Sequence, residues 1–154
     1  MLERQKLERM WIGAQEWGLG RMDNIGARQL PPHLATGLRG EQAALFELRR
    51  RGIVIVARRW TSPRVLGDVD LIGWEGETLC FIEVKTRTAR DLAPAEVQVD
   101  EDKRRTLRSL ARAYLRTFPE SERSTIPVRF DVVSVYLLGG APEFDLFPGA
   151  FDWR

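Results

Sequence analysis

From about residue 40 onward the apolar positions switch between the helical and the extended period, and the switches predict an order of elements. In "GEQAALFELRRRG", residues 40–52, Ala44, Leu45 and Leu48 share a helix face, Glu41 stands in the first turn and three arginines close the last. Gly52 suits the position just past the helix end. "IVIVARRW", residues 53–60, is β-branched and reads as a strand, and "TSPRVLG" reads as a loop. "DVDLIGW" and "TLCFIEVK" then form two strands around "EGE", and residues 92–99 read as a loop. In "DEDKRRTLRSLARAYLRTF", residues 100–118, Leu107, Leu110, Ala111, Tyr114, Leu115 and Phe118 fall on one helix face behind an acidic first turn. "VRFDVVSVYLL", residues 128–138, is a further strand, "GGAP" a turn and "EFDLF" a short edge strand.

Helix, three strands, long helix, strand, short strand predicts an α/β sandwich around a central mixed sheet. The third strand carries the clearest positional signal. Cys80, Ile82 and Val84 point to one face, and Leu79, Phe81, Glu83 and Lys85 to the other. Both faces are mostly apolar, as in a strand covered on both sides. Residues 1–37 have irregular apolar spacing, scattered glycines and a Pro-Pro break, and read as a loosely ordered extension with a short helix near residues 3–11. Residues 38–154 read as one domain.

Composition narrows the setting more than the function. A 44% hydrophobic, 30% charged chain fits a globular protein, and no run of about 18 apolar residues marks a membrane span. The N-terminus lacks the apolar core of a secretory signal, so the cytoplasm is the default compartment. A single cysteine, Cys80, excludes an internal disulfide framework and a Cys-rich metal site, and is most simply a core residue. His33, the one histidine, falls in the extension, which argues against histidine-based catalysis. The net charge is only +2, so the placement of charge has to decide what its amount does not.

That placement is informative at Asp70, Glu83 and Lys85. Side chains two apart on a strand lie roughly 6.5–7 Å apart on one face, so Glu83 and Lys85 are neighbours. A four-residue loop that pairs Trp74 with Leu79 puts Asp70 directly opposite Glu83. A two-residue turn at Glu75 and Gly76 puts Asp70 opposite Phe81, with Glu83 diagonal. Both registers gather the three groups on one face, and a slip of one residue would separate them. Two carboxylates in that relation repel and resist desolvation. Buried arginine partners would answer this, with Lys85 as the polar end of its strand. So would a divalent cation, since Mg²⁺ takes one or two carboxylates and fills its shell with water and substrate phosphate. Beside such a cation, Lys85 could orient an attacking water or stabilise phosphate charge.

Asp70, twelve residues, then Glu83-Val84-Lys85 resembles the signature of the PD-(D/E)XK, or restriction-endonuclease-like, nucleases. More closely, "GEQAA", "GDVDLI", "FIEVKTR", "DKRRTLRSLARAYL" and "VRFDVV" resemble, in order, the blocks of the YraN family of uncharacterised bacterial proteins, similar to archaeal Holliday-junction resolvases. The resemblance spans about residues 40–151. It implies that Asp70 and Glu83 hold Mg²⁺ or Mn²⁺, that Val84 offers a backbone carbonyl, that Lys85 faces the attacking water, and that Glu41 completes the site from the first helix. One departure is visible: the family's Gly-Glu-x-Asp is Gly67-Asp68-Val69-Asp70 here, which leaves Asp68 a supporting role.

The basic residues extend this reading. Arg58, Arg59, Trp60 and Arg64 precede the Asp70 strand, where a substrate backbone would lie. Arg104, Arg108, Arg112 and Arg116 recur every fourth residue along the long helix, either as a solvated face or as a phosphate-tracking surface. The candidate nucleic-acid contacts are thus Arg58, Arg59, Arg64, Arg87, Lys103, Arg104 and Arg108. Asp131 could brace the site, although a structural salt bridge explains it more simply. The expected activity is metal-dependent endonuclease cleavage of DNA. Branched substrates and a homodimer rest on the resolvase similarity alone. Two other readings stay open: a non-catalytic nucleic-acid-binding adaptor in repair or recombination, and an interaction module unrelated to nucleic acid.

Overall fold

The computed structural model describes residues 30–90 and 99–154. The elements run α1 (Pro32–Arg50), β1 (Val54–Ser62), β2 (Val65–Glu75), β3 (Thr78–Arg87), α2 (Glu101–Leu115), α3 (Glu120–Arg123), β4 (Val128–Tyr136) and β5 (Glu143–Phe151). The five strands form one sheet in sequence order. All neighbours are antiparallel except β3 and β4, whose parallel pairing requires a crossover, and α2 lies on it. β3 is therefore the central strand of a mixed sheet, as its two apolar faces predict.

The faces are covered by different helices. Ala44, Leu45 and Leu48 of α1 pack on Cys80, Ile82, Val84, Val133 and Val135. Leu107, Leu110 and Ala111 of α2 pack on Leu79, Phe81, Phe130 and Val132. Around that second core, Trp60, Phe81, Tyr114 and Phe118 meet edge to face. Leu110 and Phe81 are almost wholly enclosed, so cutting either to alanine would cost about 2–5 kcal/mol.

Local chemistry sets the ends of the elements. Asp100 caps α2 by accepting a 2.8 Å hydrogen bond from the Lys103 N–H. α1 closes in a Schellman arrangement, with Gly52 N–H donating to the Arg49 carbonyl and Ile53 N–H to the Leu48 carbonyl. Gly52 has φ +90°, which its lack of a Cβ makes cheap.

Several boundaries differ from the sequence expectation. The expected "TSPRVLG" loop is mostly strand, since β1 runs to Ser62 and β2 starts at Val65, leaving Pro63 and Arg64 as a tight turn. α1 begins at Pro32, eight residues before Gly40, because a proline at the helix start gives up an N–H that has no partner there. His33 thus lies in a helix. α2 ends at Leu115, followed by turn bonds into Pro119 rather than helix to Phe118. β5 is nine residues long and passes through Pro148 and Gly149, where the register shifts between the Phe130–Phe151 and Val132–Phe147 pairs. An edge strand tolerates that proline. The expected helix near residues 3–11 and most of the expected loop at 92–99 lie outside the described residues. Among the described residues no helix is long and apolar enough to cross a membrane.

Candidate active site

The β2–β3 hairpin pairs Trp74 with Leu79 and Glu75 with Thr78 around Gly76 and Glu77, the register that faces Asp70 towards Glu83. Regular pairing runs only as far as Leu71 and Ile82. Beyond it the Asp70 side chain takes over, with Oδ2 accepting a 2.7 Å hydrogen bond from the Val84 N–H. Burial and the neighbouring Glu83 charge push the Asp70 carboxyl up to about 8, with Glu41 adding to the rise; the Val84 N–H and Lys103 work in the opposite direction.

Glu83 lies on the α2 side of β3, with its side chain only 6% exposed. Lys85 Nζ stands 3.0 Å from its Oε1, and Lys103 Nζ stands 3.1 Å from its Oε2. Oε2 is buried and makes no well-aligned hydrogen bond, so charge rather than directional bonding holds Lys103 there. Burial opposes the Lys103 charge, but attraction to Glu83, with Asp70 and Asp68 behind it, outweighs this and moves its pKa up. Two side chains 18 residues apart, one from a strand and one from a helix, thus meet on one carboxylate.

Glu41 reaches the neighbourhood because α1 presses onto β3. A Cβ on Gly40 would stand 1.8 Å from Thr86 Oγ1, so this approach needs glycine. Glu41 is engaged by Arg59, whose Nε and Nη2 donate to its two oxygens at 2.8 and 3.1 Å. That bond, set against burial and helped by Asp68 and Asp70, raises the Arg59 pKa. Arg59 has φ +46°, alone among the described non-glycine residues, and stands opposite Asp70 across β1 and β2. A left-handed arginine costs about 1 kcal/mol or more, and such strain gathers at functional sites.

The expected metal donors are therefore only partly assembled. Asp70 and Glu83 come together, Val84 touches Asp70 through its N–H, and Glu41 is paired with Arg59. Among the described residues no three His, Cys, Asp or Glu side chains form a metal-binding cluster. Two carboxylates are nevertheless enough for a hard cation that keeps water and phosphate in its shell, and Glu83 Oε2, held only by the Lys103 charge, and the repelled Asp70 carboxyl are the donors such an ion would satisfy.

The proposed nucleic-acid contacts divide sharply. Arg64 is exposed at the β1–β2 turn and the Arg59 side chain is half-exposed. Arg87 and Arg108 are each only 7% exposed, which corrects their reading as surface phosphate contacts. Arg108 binds the carbonyls of Asp152 and Arg154 and the Glu101 carboxylate, and it lies over the Phe151 ring. Arg104 bonds the Val99 carbonyl and lies over the Phe151 ring, and Arg112 covers Trp153, so most of the basic stripe packs on the C-terminal segment. Arg58 is half-buried in β1. Lys103 belongs to the carboxylate site itself, a position no local pattern signals. Asp131 is structural: it takes both arms of Arg129 and the Gly149 N–H at the β5 irregularity.

A mixed five-stranded sheet between helices, with Asp70, Glu83 and Lys85 meeting where β2 and β3 part, defines an α/β protein of the restriction-endonuclease-like kind. The chain belongs to the uncharacterised protein family UPF0102, the YraN family, whose model matches residues 40–135. It is 51% identical over 121 residues to a UPF0102 protein of Koribacter versatilis, covering 79% of this chain and 82% of that one. It is 39% identical over 129 residues to one of Solibacter usitatus, covering 84% and 93%. A Pseudomonas aeruginosa relative is 35% identical over 118 residues, covering 75% and 91%.

Proposed function

We propose that this protein is a metal-dependent endonuclease that hydrolyses phosphodiester bonds in DNA, with the resolvase resemblance alone extending this to branched or structured DNA. The observation that carries the reading is the convergence of Asp70, Glu83 and Lys85, with Asp70 tied at 2.7 Å to the residue between the other two. Asp70, Glu83 and the Val84 carbonyl would hold Mg²⁺ or Mn²⁺, which when bound supplies Lewis-acid polarisation of the phosphate and a more acidic water. Lys85, with its side chain 31% exposed, can turn from Glu83 towards that water or a phosphoryl oxygen. Arg59 and Arg64 offer charge to the backbone on the β1–β2 side. Glu41 supports the site through Arg59.

A second reading, a nucleic-acid-binding adaptor of the same fold without turnover, draws on the lack of a third carboxylate in the cluster among the described residues. Strand cleavage separates the two. Wild type, Asp70→Ala and Lys85→Ala would be incubated with Mg²⁺ or Mn²⁺ on single-stranded, duplex, flapped and four-way-junction DNA, with an RNA control. The endonuclease reading expects metal-dependent cleavage that falls at least about 100-fold in both variants. Salt-sensitive binding with no cleavage of any substrate would favour the adaptor.

A further inference from the structure

The chain has 24 basic residues, and only Lys6, Lys85 and Lys103 are lysines. The two lysines among the described residues both stand on Glu83, one on each oxygen. Elsewhere carboxylates are gripped by arginine forks, as Arg59 grips Glu41 and Arg129 grips Asp131. The distinction has a physical meaning. A guanidinium fork makes two directed bonds that resist exchange, while an ammonium is a compact point charge on a flexible stem, similar in kind to a small metal ion.

Lys103 has the means to leave. Its helix is anchored by the Asp100 cap, so its side chain can swing while the backbone stays. The side chain is 29% exposed and has a route to solvent, and its partner Oε2 makes no well-aligned hydrogen bond. Lys85 can remain on Oε1 while Oε2 changes partners.

We propose that Lys103 is a tethered cation that neutralises Glu83 in the metal-free protein, yields Oε2 to the divalent ion, and then contacts the phosphate backbone of the nucleic acid. This rests on the metal-dependent reading above. It makes Lys103 a positioning residue whose removal acts in opposite directions on two ligands. Metal binding gains, because a competitor is gone, and nucleic-acid binding loses one phosphate contact.

The test uses full-length protein and Mn²⁺ alone, by calorimetric titration of wild type, Lys103→Met and Lys103→Arg. The methionine variant should bind Mn²⁺ on the order of tenfold more tightly, because no ammonium then competes for Oε2 or repels the ion. The arginine variant, still charged and able to fork, should bind no more tightly than wild type. In Ca²⁺, duplex-DNA binding by Lys103→Met should show a log–log salt slope reduced by about one. Wild type needs no variant for a further readout: Mg²⁺ should speed amine labelling of Lys103, read by mass spectrometry, as the ammonium leaves Glu83. Wild type that binds no Mn²⁺ overturns the metal reading and this inference with it. Wild type that binds Mn²⁺, with Lys103→Met no tighter or Lys103 labelling unmoved by metal, overturns the tethered-cation role alone. An unchanged salt slope overturns the phosphate contact.

Discussion

Asp70 and Val84 are joined by a 2.7 Å hydrogen bond from the Val84 N–H to the Asp70 carboxylate, at the point where β2 and β3 cease to pair regularly. A side chain there takes the place of a backbone acceptor. The result fixes Asp70 beside the Glu83-Val84-Lys85 segment, although burial and the Glu83 charge both disfavour its ionised form. The sheet thus holds Asp70 in a place where its charged form is disfavoured.

That conflict should be measurable. The Asp70 carboxyl holds its proton to about pH 8 in the folded protein, against an ordinary value of 3.8. Between these values the folded state retains a proton that the unfolded chain has released, so this group lowers stability as pH rises through that window. Asp70→Asn cannot ionise and keeps an oxygen for the Val84 N–H. In EDTA it should match wild type near pH 4 and exceed it at pH 8 by at least about 2 °C in Tm, the shift that roughly 1 kcal/mol makes in a chain of this size. Thermal melts across that range decide it, and a variant less stable at every pH would contradict it.

Two glycines of α1 should respond to alanine with opposite sign. A Cβ added at Gly37 would meet no neighbour within 4 Å, so Gly37→Ala should stabilise by about 0.5–1 kcal/mol through helix propensity. Gly40 would drive its new methyl into Thr86, at 1.8 Å, so Gly40→Ala should destabilise by about 1–3 kcal/mol. Urea midpoints of both variants test this, and equal shifts would remove the argument that Gly40 seats α1 on β3.

Arg108 and Arg64 separate a structural arginine from an exposed one. Arg108→Ala leaves the Asp152 and Arg154 carbonyls without their donor and should cost about 2 kcal/mol. Arg64→Ala should leave stability within about 0.5 kcal/mol while lowering DNA affinity and the salt slope by about one. Calorimetric melting and binding titrations at several salt concentrations measure the two effects. A stable Arg108→Ala protein with weakened DNA binding would reverse the assignment.

Cys80 should be silent in the folded protein. Burial, with Asp131 adding to it, pushes its thiol up to about 12, so the reactive thiolate is scarce below about pH 10. Labelling by a disulfide reagent at pH 8 should therefore wait for unfolding and accelerate with urea. Rapid modification of the native protein would show that the α1-side core is open.

Much of the fold is legible in the chain because it depends on short-range pattern. The period-two faces of β3, the apolar stripe of α2 and Gly52 at the end of α1 are readable from residues within a few positions of one another, and the hairpin register narrows to two of one parity, between which the structure chooses. Asp70, Glu83 and Lys85 are legible for the same reason, since a tight hairpin turns sequence spacing into cross-strand proximity. Element ends are less so: Pro32 starts a helix where a Pro-Pro pair suggests a break, and Pro148 sits inside an edge strand because its missing N–H has no ladder to serve.

Which charge meets which is a matter of long-range packing. Glu41 and Arg59 pair, Arg108 turns inward to the C-terminal segment, and Lys103 arrives on Glu83 by way of the β3–β4 crossover. Long charged side chains leave no periodic trace of their partners, because their stems reach several ångströms in many directions and their choice depends on what packing brings near. Local periodicity in the chain was enough to set the strands, the helix faces and the carboxylate pair. The cations that balance that pair were settled by the packing of α1 and α2 on opposite faces of the sheet, which converts distant positions into contacts.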